Sequence, residues 1–269
     1  MNIFKKGTAL ILGLGLMLGA GTIAAHADDA LQAIKARGTI KIGMLVDFPP
    51  YGLMDEQNKP DGYDADVAKL LAKEMGVKLD LVPVTGPNRI PYLLSGQVDL
   101  LVASLGITPE RAKKVAFSDP YAAIAISVYG TKDSKVTKAA DLDGKTIAVA
   151  RASTQDAAVT KAAPQSTNIR RFDSDSSALQ ALISGQVPLI GCSNVCYATI
   201  QKLAPNKFDE KFELSSQVQG IAVKPGEDKL LAWVNQFIGK IKQDGDLDKV
   251  NQKWLGAPMP AALTAGAKQ

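Results

Sequence analysis

Residues 98–121, VDLLVASLGITPERAKKVAFSDPY, run from a short apolar strand through a glycine into a helix opening and out into a second strand. Residues 98–104 are almost continuously apolar, which suits a strand covered on both faces in a parallel sheet better than one with a wet face. Gly106 loosens the backbone beyond it, the Thr108 hydroxyl can cap free N–H groups, and Pro109 fits a first helical position that needs no donor. Arg111 is then the misfit, because a cation in the first turn opposes the helix dipole unless an anion is held there. Its planar fork matches a carboxylate in bidentate geometry. Ser104, Gly106, Thr108 and Arg111 therefore form a candidate carboxylate site, with a solvated or ion-paired Arg111 on a surface helix as the alternative.

The flanking chain repeats the strand–helix alternation. Residues 39–46, 78–84, 123–131, 146–150, 168–172, 187–192, 212–215 and 217–223 read as strands. Residues 63–75 and 176–184 read as helices, each stopped by a glycine, and Leu230, Leu231, Val234, Phe237, Ile238 and Ile241 mark a strongly amphipathic one at spacings of three and four. The D-x-D of Asp64 and Asp66 sits at a helix start, where carboxylates are favourable, and no further oxygen ligands follow at loop spacing, so both read as structural rather than metal-binding.

Residues 1–27 read as a secretory signal peptide: Lys5 and Lys6 precede an apolar run, and Ala25-His26-Ala27 is an A-x-A cleavage site. His26, the only histidine, leaves with it, which excludes a histidine base or ligand. Losing Lys5 and Lys6 takes the formal charge from +4 to +2, too mild to argue for nucleic acid or a membrane surface. Cys192 and Cys196 are the only cysteines; two buried thiols are favoured over a bridge, and without histidine they make no zinc site.

The segment SLGITPERAKKVAFSDPY resembles the central signature of the periplasmic solute-binding proteins of polar amino acid ABC transporters, solute-binding protein family 3, and the resemblance extends over residues 38–256. It implies an α/β, two-lobed periplasmic binding protein fold of type II, each lobe a sheet flanked by helices, joined by two hinge crossovers. On that reading residues 28–128 and 219–257 form one lobe, 129–218 the other, and 258–269 a disordered tail. The resemblance implies an aromatic against the ligand at Phe48, with core packing as its alternative. It likewise implies a second anion clamp at Arg89 in an Asn-Arg-x-Pro loop, joined by Arg151, with a structural surface arginine as the alternative, and a carboxylate cradle completed by Ser153 and Thr154 in the turn Arg151-Ala152-Ser153-Thr154-Gln155, where a plain N-cap is the alternative.

One departure is chemical. The family's aspartate that holds the ligand's α-ammonium aligns with Ser193, followed by Asn194. Either these two residues, backbone carbonyls or another acid such as Asp173 hold the ammonium, or the ligand has none. The resulting expectation is a monomeric periplasmic receptor without cofactor or metal. It captures a small carboxylate-bearing solute, with an acidic amino acid favoured by three arginines, and hands it to a membrane ABC permease. Alternatives are a receptor for a dicarboxylate without an α-amino group, a periplasmic enzyme of the cyclohexadienyl dehydratase type, and a sensor-type binding domain. The enzyme needs a general acid in the cleft, and no glutamate lies between Arg111 and Asp209.

Overall fold

A computed structural model describes residues 30–260 and residue 263; the expected signal peptide lies outside the described residues. In chain order the elements are α1 (Ala30–Arg37), β1 (Thr39–Leu45), β2 (Leu53–Met54), β3 (Pro60–Asp61), α2 (Tyr63–Met75), β4 (Lys78–Val84), α3 (Arg89–Leu94), β5 (Leu100–Leu101), α4 (Pro109–Ala112) and β6 (Ala116–Thr131). There follow β7 (Thr146–Ala150), α5 (Thr154–Ala162), β8 (Asn168–Phe172), α6 (Asp175–Ile183), β9 (Leu189–Ser193), α7 (Asn194–Leu203), β10 (Phe208–Val223), α8 (Asp228–Gln243) and α9 (Asp246–Leu255).

Eight strands form one continuous sheet in the order β4-β1-β5-β10-β6-β9-β7-β8. Its two ends are parallel, β1 with β4 and β7 with β8, as strand–helix units require, whereas β6 and β10 run antiparallel through the middle. These two 16-residue strands are the crossovers. The sequence reading cuts them short, starting the first at residue 123 and splitting the second into 212–215 and 217–223. Register shifts between Glu210 and Phe212, and again between Glu213 and Ser215, break the period-two pattern along β10 without ending the strand. The expected lobe boundaries, residues 128/129 and 218/219, fall inside β6 and β10.

The apolar core divides as the two-lobed fold demands. One cluster packs α2, α8 and α9 against β1 and β5, through residues such as Ile42, Leu71, Leu100, Val234 and Leu247. Two smaller clusters sit at the other end of the sheet, around Ala148, Leu182 and Phe208 and around Val128, Ile147 and Val159. Helix α8 buries Leu230, Val234, Phe237, Ile238 and Ile241, the face read from its spacing. Each such side chain contributes about 1.5–3 kcal/mol on burial.

Some expectations shift. The strand expected over residues 98–104 is shorter, Leu100–Leu101, with the Asp99 and Val102 amides also donating to β1, and the chain turns into the left-handed region at Ser104, φ 46°. The Asn-Arg-x-Pro segment is not open loop: Arg89 begins α3. The tail expected to be disordered is partly docked, since the Met259 amide donates to Asp248 Oδ1 at 2.8 Å and Leu263 is buried. Both cysteines are free and buried, Cys192 next to last in β9 and Cys196 inside α7.

Candidate functional site

Between the two halves of the molecule lies a cavity of about 20 Å³. That is room for roughly one water, so a larger solute enters only when the walls separate. Leu45, Phe48, Ile124 and Ala150 give it an apolar side, and its polar side carries Asp47, Arg89, Ser104, Arg151, Ser153, Thr154, Gln155, Asp173, Ser174, Asp175 and Gln219.

Arg89 owes its place to α3. The helix starts at Arg89 and turns the side chain inward, where it is 3% exposed and Nη1 donates to the Ala103 carbonyl at 2.7 Å. Burial lowers its pKa, and the carboxyl of Asp175 is the strongest influence opposing that shift. Phe48 is buried and stacked on Tyr51 at a centroid distance of 5.6 Å, so it packs in the core and lines the cavity at once.

From the opposite wall come the N-termini of α5 and α6. Ser153 caps α5 by accepting from the Asp156 amide at 3.0 Å, and Thr154 donates to Gln155 Oε1 at 3.0 Å. Gln155 Nε2 in turn donates to Asp175 Oδ1 at 3.3 Å, fixing the first residue of α6. Arg151 stands at the exposed rim, 3.3 Å from Asp173. As a solvent-exposed pair it adds little net attraction.

Ser104 lines the cavity, but its hydroxyl proton is committed. Oγ donates to Asp64 Oδ2 at 2.7 Å, and the Ser104 amide donates to Tyr121 Oη, which itself donates to Asp64 Oδ1. The free lone pairs of Oγ can accept from an ammonium; they cannot grip a carboxylate, as the sequence reading has it. Asp64, read as a helix-start residue, is thus also the fully buried brace behind the site, and burial pushes its carboxyl up to about 6.

Three expected ligand contacts border the cavity without lining it. Thr108 caps α4 by accepting from the Arg111 amide at 3.2 Å. Gly106 passes so close to α5 that a Cβ there would lie 2.5 Å from Thr154 Cγ2. Arg111 donates to the Gly106 carbonyl at 2.9 Å and, across the cleft, to the Ala152 carbonyl at 2.8 Å. Burial first, and the nearby like charge of Arg89 second, hold its pKa below the ordinary arginine value. Two guanidiniums so placed favour an anion beside them.

Ser193 and Asn194 are not in the cleft wall, contrary to the sequence reading. Ser193 is fully buried and spends its Oγ as the α7 cap, accepting from the Cys196 amide at 3.3 Å, while Asn194 Oδ1 accepts from the Ala125 amide at 3.3 Å. The anions missing at that strand end come from elsewhere. Asp47, just past β1, and Asp175, at the start of α6, both reach the cavity. Asp175 keeps part of its surface open, yet burial first and Asp47 second push its carboxyl up to about 7, with Arg89 opposing both. Burial raises the Asp47 carboxyl too. Neither acid carries a sequence motif; Asp175 stood one residue outside the expected helix.

The model of the bacterial extracellular solute-binding proteins, family 3, matches residues 40–257. The chain belongs to this family. It is 28% identical to the L-cystine-binding protein TcyJ of Escherichia coli (strain K12) over 263 residues, 96% of this chain and 98% of that protein. It is 31% identical to the ABC transporter glutamine-binding protein GlnH of Bacillus subtilis (strain 168), over 84% of this chain and 85% of the relative. Among solved structures, the ancestral amino acid-binding protein AncCDT-1, described as a precursor of cyclohexadienyl dehydratase, superposes with a TM-score of 0.77 at 34% identity, covering 83% of this chain and 98% of the other. The two-lobed fold is common to the family member and its neighbours, and the closed cleft described above lies between the lobes.

Proposed function

We propose that this family member is the periplasmic receptor of an ABC importer, and that its solute is a zwitterionic amino acid with an uncharged side chain. The observation that carries the reading is the company Arg89 keeps: one buried guanidinium shares a closed cavity with the carboxyls of Asp47 and Asp175. Arg89 takes the α-carboxylate in charge-assisted hydrogen bonds, and the two acids take the α-ammonium left without an aspartate at Ser193. A side-chain carboxylate placed against these two carboxyls would meet like charge, so the cleft chemistry turns the expectation away from glutamate and aspartate. Relatives are named for cystine, glutamine and arginine, and none of these three is named for an acidic amino acid.

Transport chemistry follows from closure. Ligand contacts to Arg89 in one lobe and Asp175 in the other exist together only when the walls approach, so ligand draws the lobes together, short of the fully shut cleft, whose space holds about one water. Bending within β6 and β10 opens the cleft, and the closed face is what a permease recognises. Calorimetric titration of the protein, unfolded and refolded to remove bound solute, tests the reading. Neutral polar amino acids should bind at least about tenfold tighter than L-glutamate or succinate; tighter succinate binding would sink it.

A second reading rests on the Asp175 carboxyl that lines this cleft and on the likeness to a dehydratase precursor; burial pushes that carboxyl up to about 7, suited to a general acid in dehydration. Turnover of prephenate to phenylpyruvate, carbon dioxide and water by the purified protein would establish it, and a flat time course would remove it.

A further inference from the structure

Six side-chain polar atoms among the described residues are buried without a hydrogen-bond partner, and three of them belong to two cleft residues: Asp47 Oδ1, Gln219 Oε1 and Gln219 Nε2. Gln219 is completely buried, yet neither end of its carboxamide is satisfied within the protein. Its backbone cannot swing away, because Gln219 is paired with Ala122 of β6 on one side and bridged to Gly106 on the other. The strand does not force this. Gln217, two residues earlier, donates from Nε2 to the Ile107 carbonyl at 2.8 Å. Buried polar groups are almost always paired, and one left open costs its full desolvation.

The open atoms describe what would fit them. A carboxamide offers a donor and an acceptor side by side; another carboxamide meets both with two separate, parallel hydrogen bonds, whereas a hydroxyl has only its single oxygen to serve both. A carboxylate would meet Nε2 but set oxygen against Oε1. An ammonium or guanidinium would meet only Oε1, and a thioether or alkyl end neither. Asp47 Oδ1 remains as an acceptor, suited to the α-ammonium.

Building on the amino acid reading above, we propose that Gln219 sets the specificity of this cleft and that its ligand is an amino acid whose side chain ends in a carboxamide. Sites built around such buried polar pairs reject analogues that leave them unpaired.

The test is calorimetric titration of the stripped, refolded protein with L-glutamine, L-asparagine, L-methionine, L-glutamate, L-arginine and L-cystine. At least one carboxamide should bind about 100-fold tighter than methionine, a similarly long side chain that offers neither hydrogen bond. Gln219→Leu should weaken that ligand by about 30-fold or more while changing methionine by less than about threefold. Gln219→Glu, close in shape, repeats the comparison should the leucine variant fold poorly; its lost donor should again penalise the carboxamide selectively. Methionine or cystine binding as tightly as the carboxamides would overturn this proposal and leave the amino acid reading standing, whereas arginine or glutamate binding as tightly would overturn both. Equal losses for every ligand in both variants would make Gln219 structural and overturn it as well. Absence of heat from all six would remove both readings together.

Discussion

The Arg111 guanidinium reaches across the cleft to donate to the Ala152 carbonyl at 2.8 Å, while its other terminal nitrogen holds the Gly106 carbonyl at 2.9 Å. This charged hydrogen bond exists only when the cleft is closed, so it stabilises the closed state in addition to any contact with ligand. Hydrogen bonds from a charged group contribute about 1.5–3 kcal/mol. Arg111→Ala should therefore weaken ligand binding by about 10- to 100-fold, measured by titration. Arg111→Lys, which keeps the charge and loses the fork, should fall in between. A latch predicts equal losses for ligands that differ in side chain; a loss confined to one ligand would contradict it.

Closure also depends on an atom that is not there. A Cβ at Gly106 would lie 2.5 Å from Thr154 Cγ2 and 2.9 Å from Gln217 Cγ. The glutamine can move, but the threonine methyl is fixed at the start of α5. Gly106→Ala should hold the cleft ajar and weaken binding by about tenfold or more, as overpacking costs about 1–3 kcal/mol. Thr154→Ser deletes the opposing methyl, so the double variant should recover most of the affinity. Additive losses in the double variant would show that the two residues do not meet.

Much of this fold was legible because its signals are local. The strand over residues 78–84, the helix over 63–75 and the apolar face of α8 follow from spacing alone, and Thr108 caps α4 as its position before Pro109 implies. Phe48, Arg89, Ser104, Arg151, Ser153 and Thr154 all line the cavity. What stayed hidden depends on how distant segments meet. Ser176 donates to the Asp47 carbonyl across 129 residues, and that closeness of α6 to the end of β1 is what brings Asp47 and Asp175 together. Ser193 misled because a serine before a helix serves equally as a cap, and here the cap uses the side chain. Gln219 reads in sequence as one more residue of a strand.

Asp64 makes stability depend on pH in an unusual direction. Burial raises its carboxyl to about 6, against hydrogen bonds from Ser104 and Tyr121 that favour the charged form. The folded protein then holds this proton more tightly than the unfolded chain, whose aspartates titrate near 3.9. Its contribution is therefore a penalty above pH 6 that is relieved as pH falls through 6 toward 4, of about 3 kcal/mol in all. Denaturant titrations of the wild type and Asp64→Asn at pH 4, 5, 6 and 7 should show the wild type gaining relative to the variant as pH is lowered. A constant difference would mean that Asp64 titrates normally.

Arg89 and Asp175 should be coupled through the pH dependence of binding. In the closed cleft the Asp175 carboxyl is pushed up to about 7, and Arg89 is the group that keeps it from rising further. Removing the guanidinium by Arg89→Ala deletes the carboxylate clamp and leaves Asp47 and Asp175 facing each other without a cation. Breaking a buried charge arrangement costs about 3–5 kcal/mol, so affinity should drop by about 100-fold or more. The remaining binding should keep a rise with pH that lies higher than in the wild type. With its pKa raised above 7, Asp175 is protonated at pH 6 and cannot hold an ammonium, whereas at pH 8 more of it is carboxylate. Titrations of Arg89→Ala should therefore be stronger at pH 8 than at pH 6, and adding Asp175→Asn should flatten the profile. An Arg89→Ala profile that is already flat would show that Asp175 does not face the ligand's ammonium, and the assignment of that acid to the binding site would fall with it.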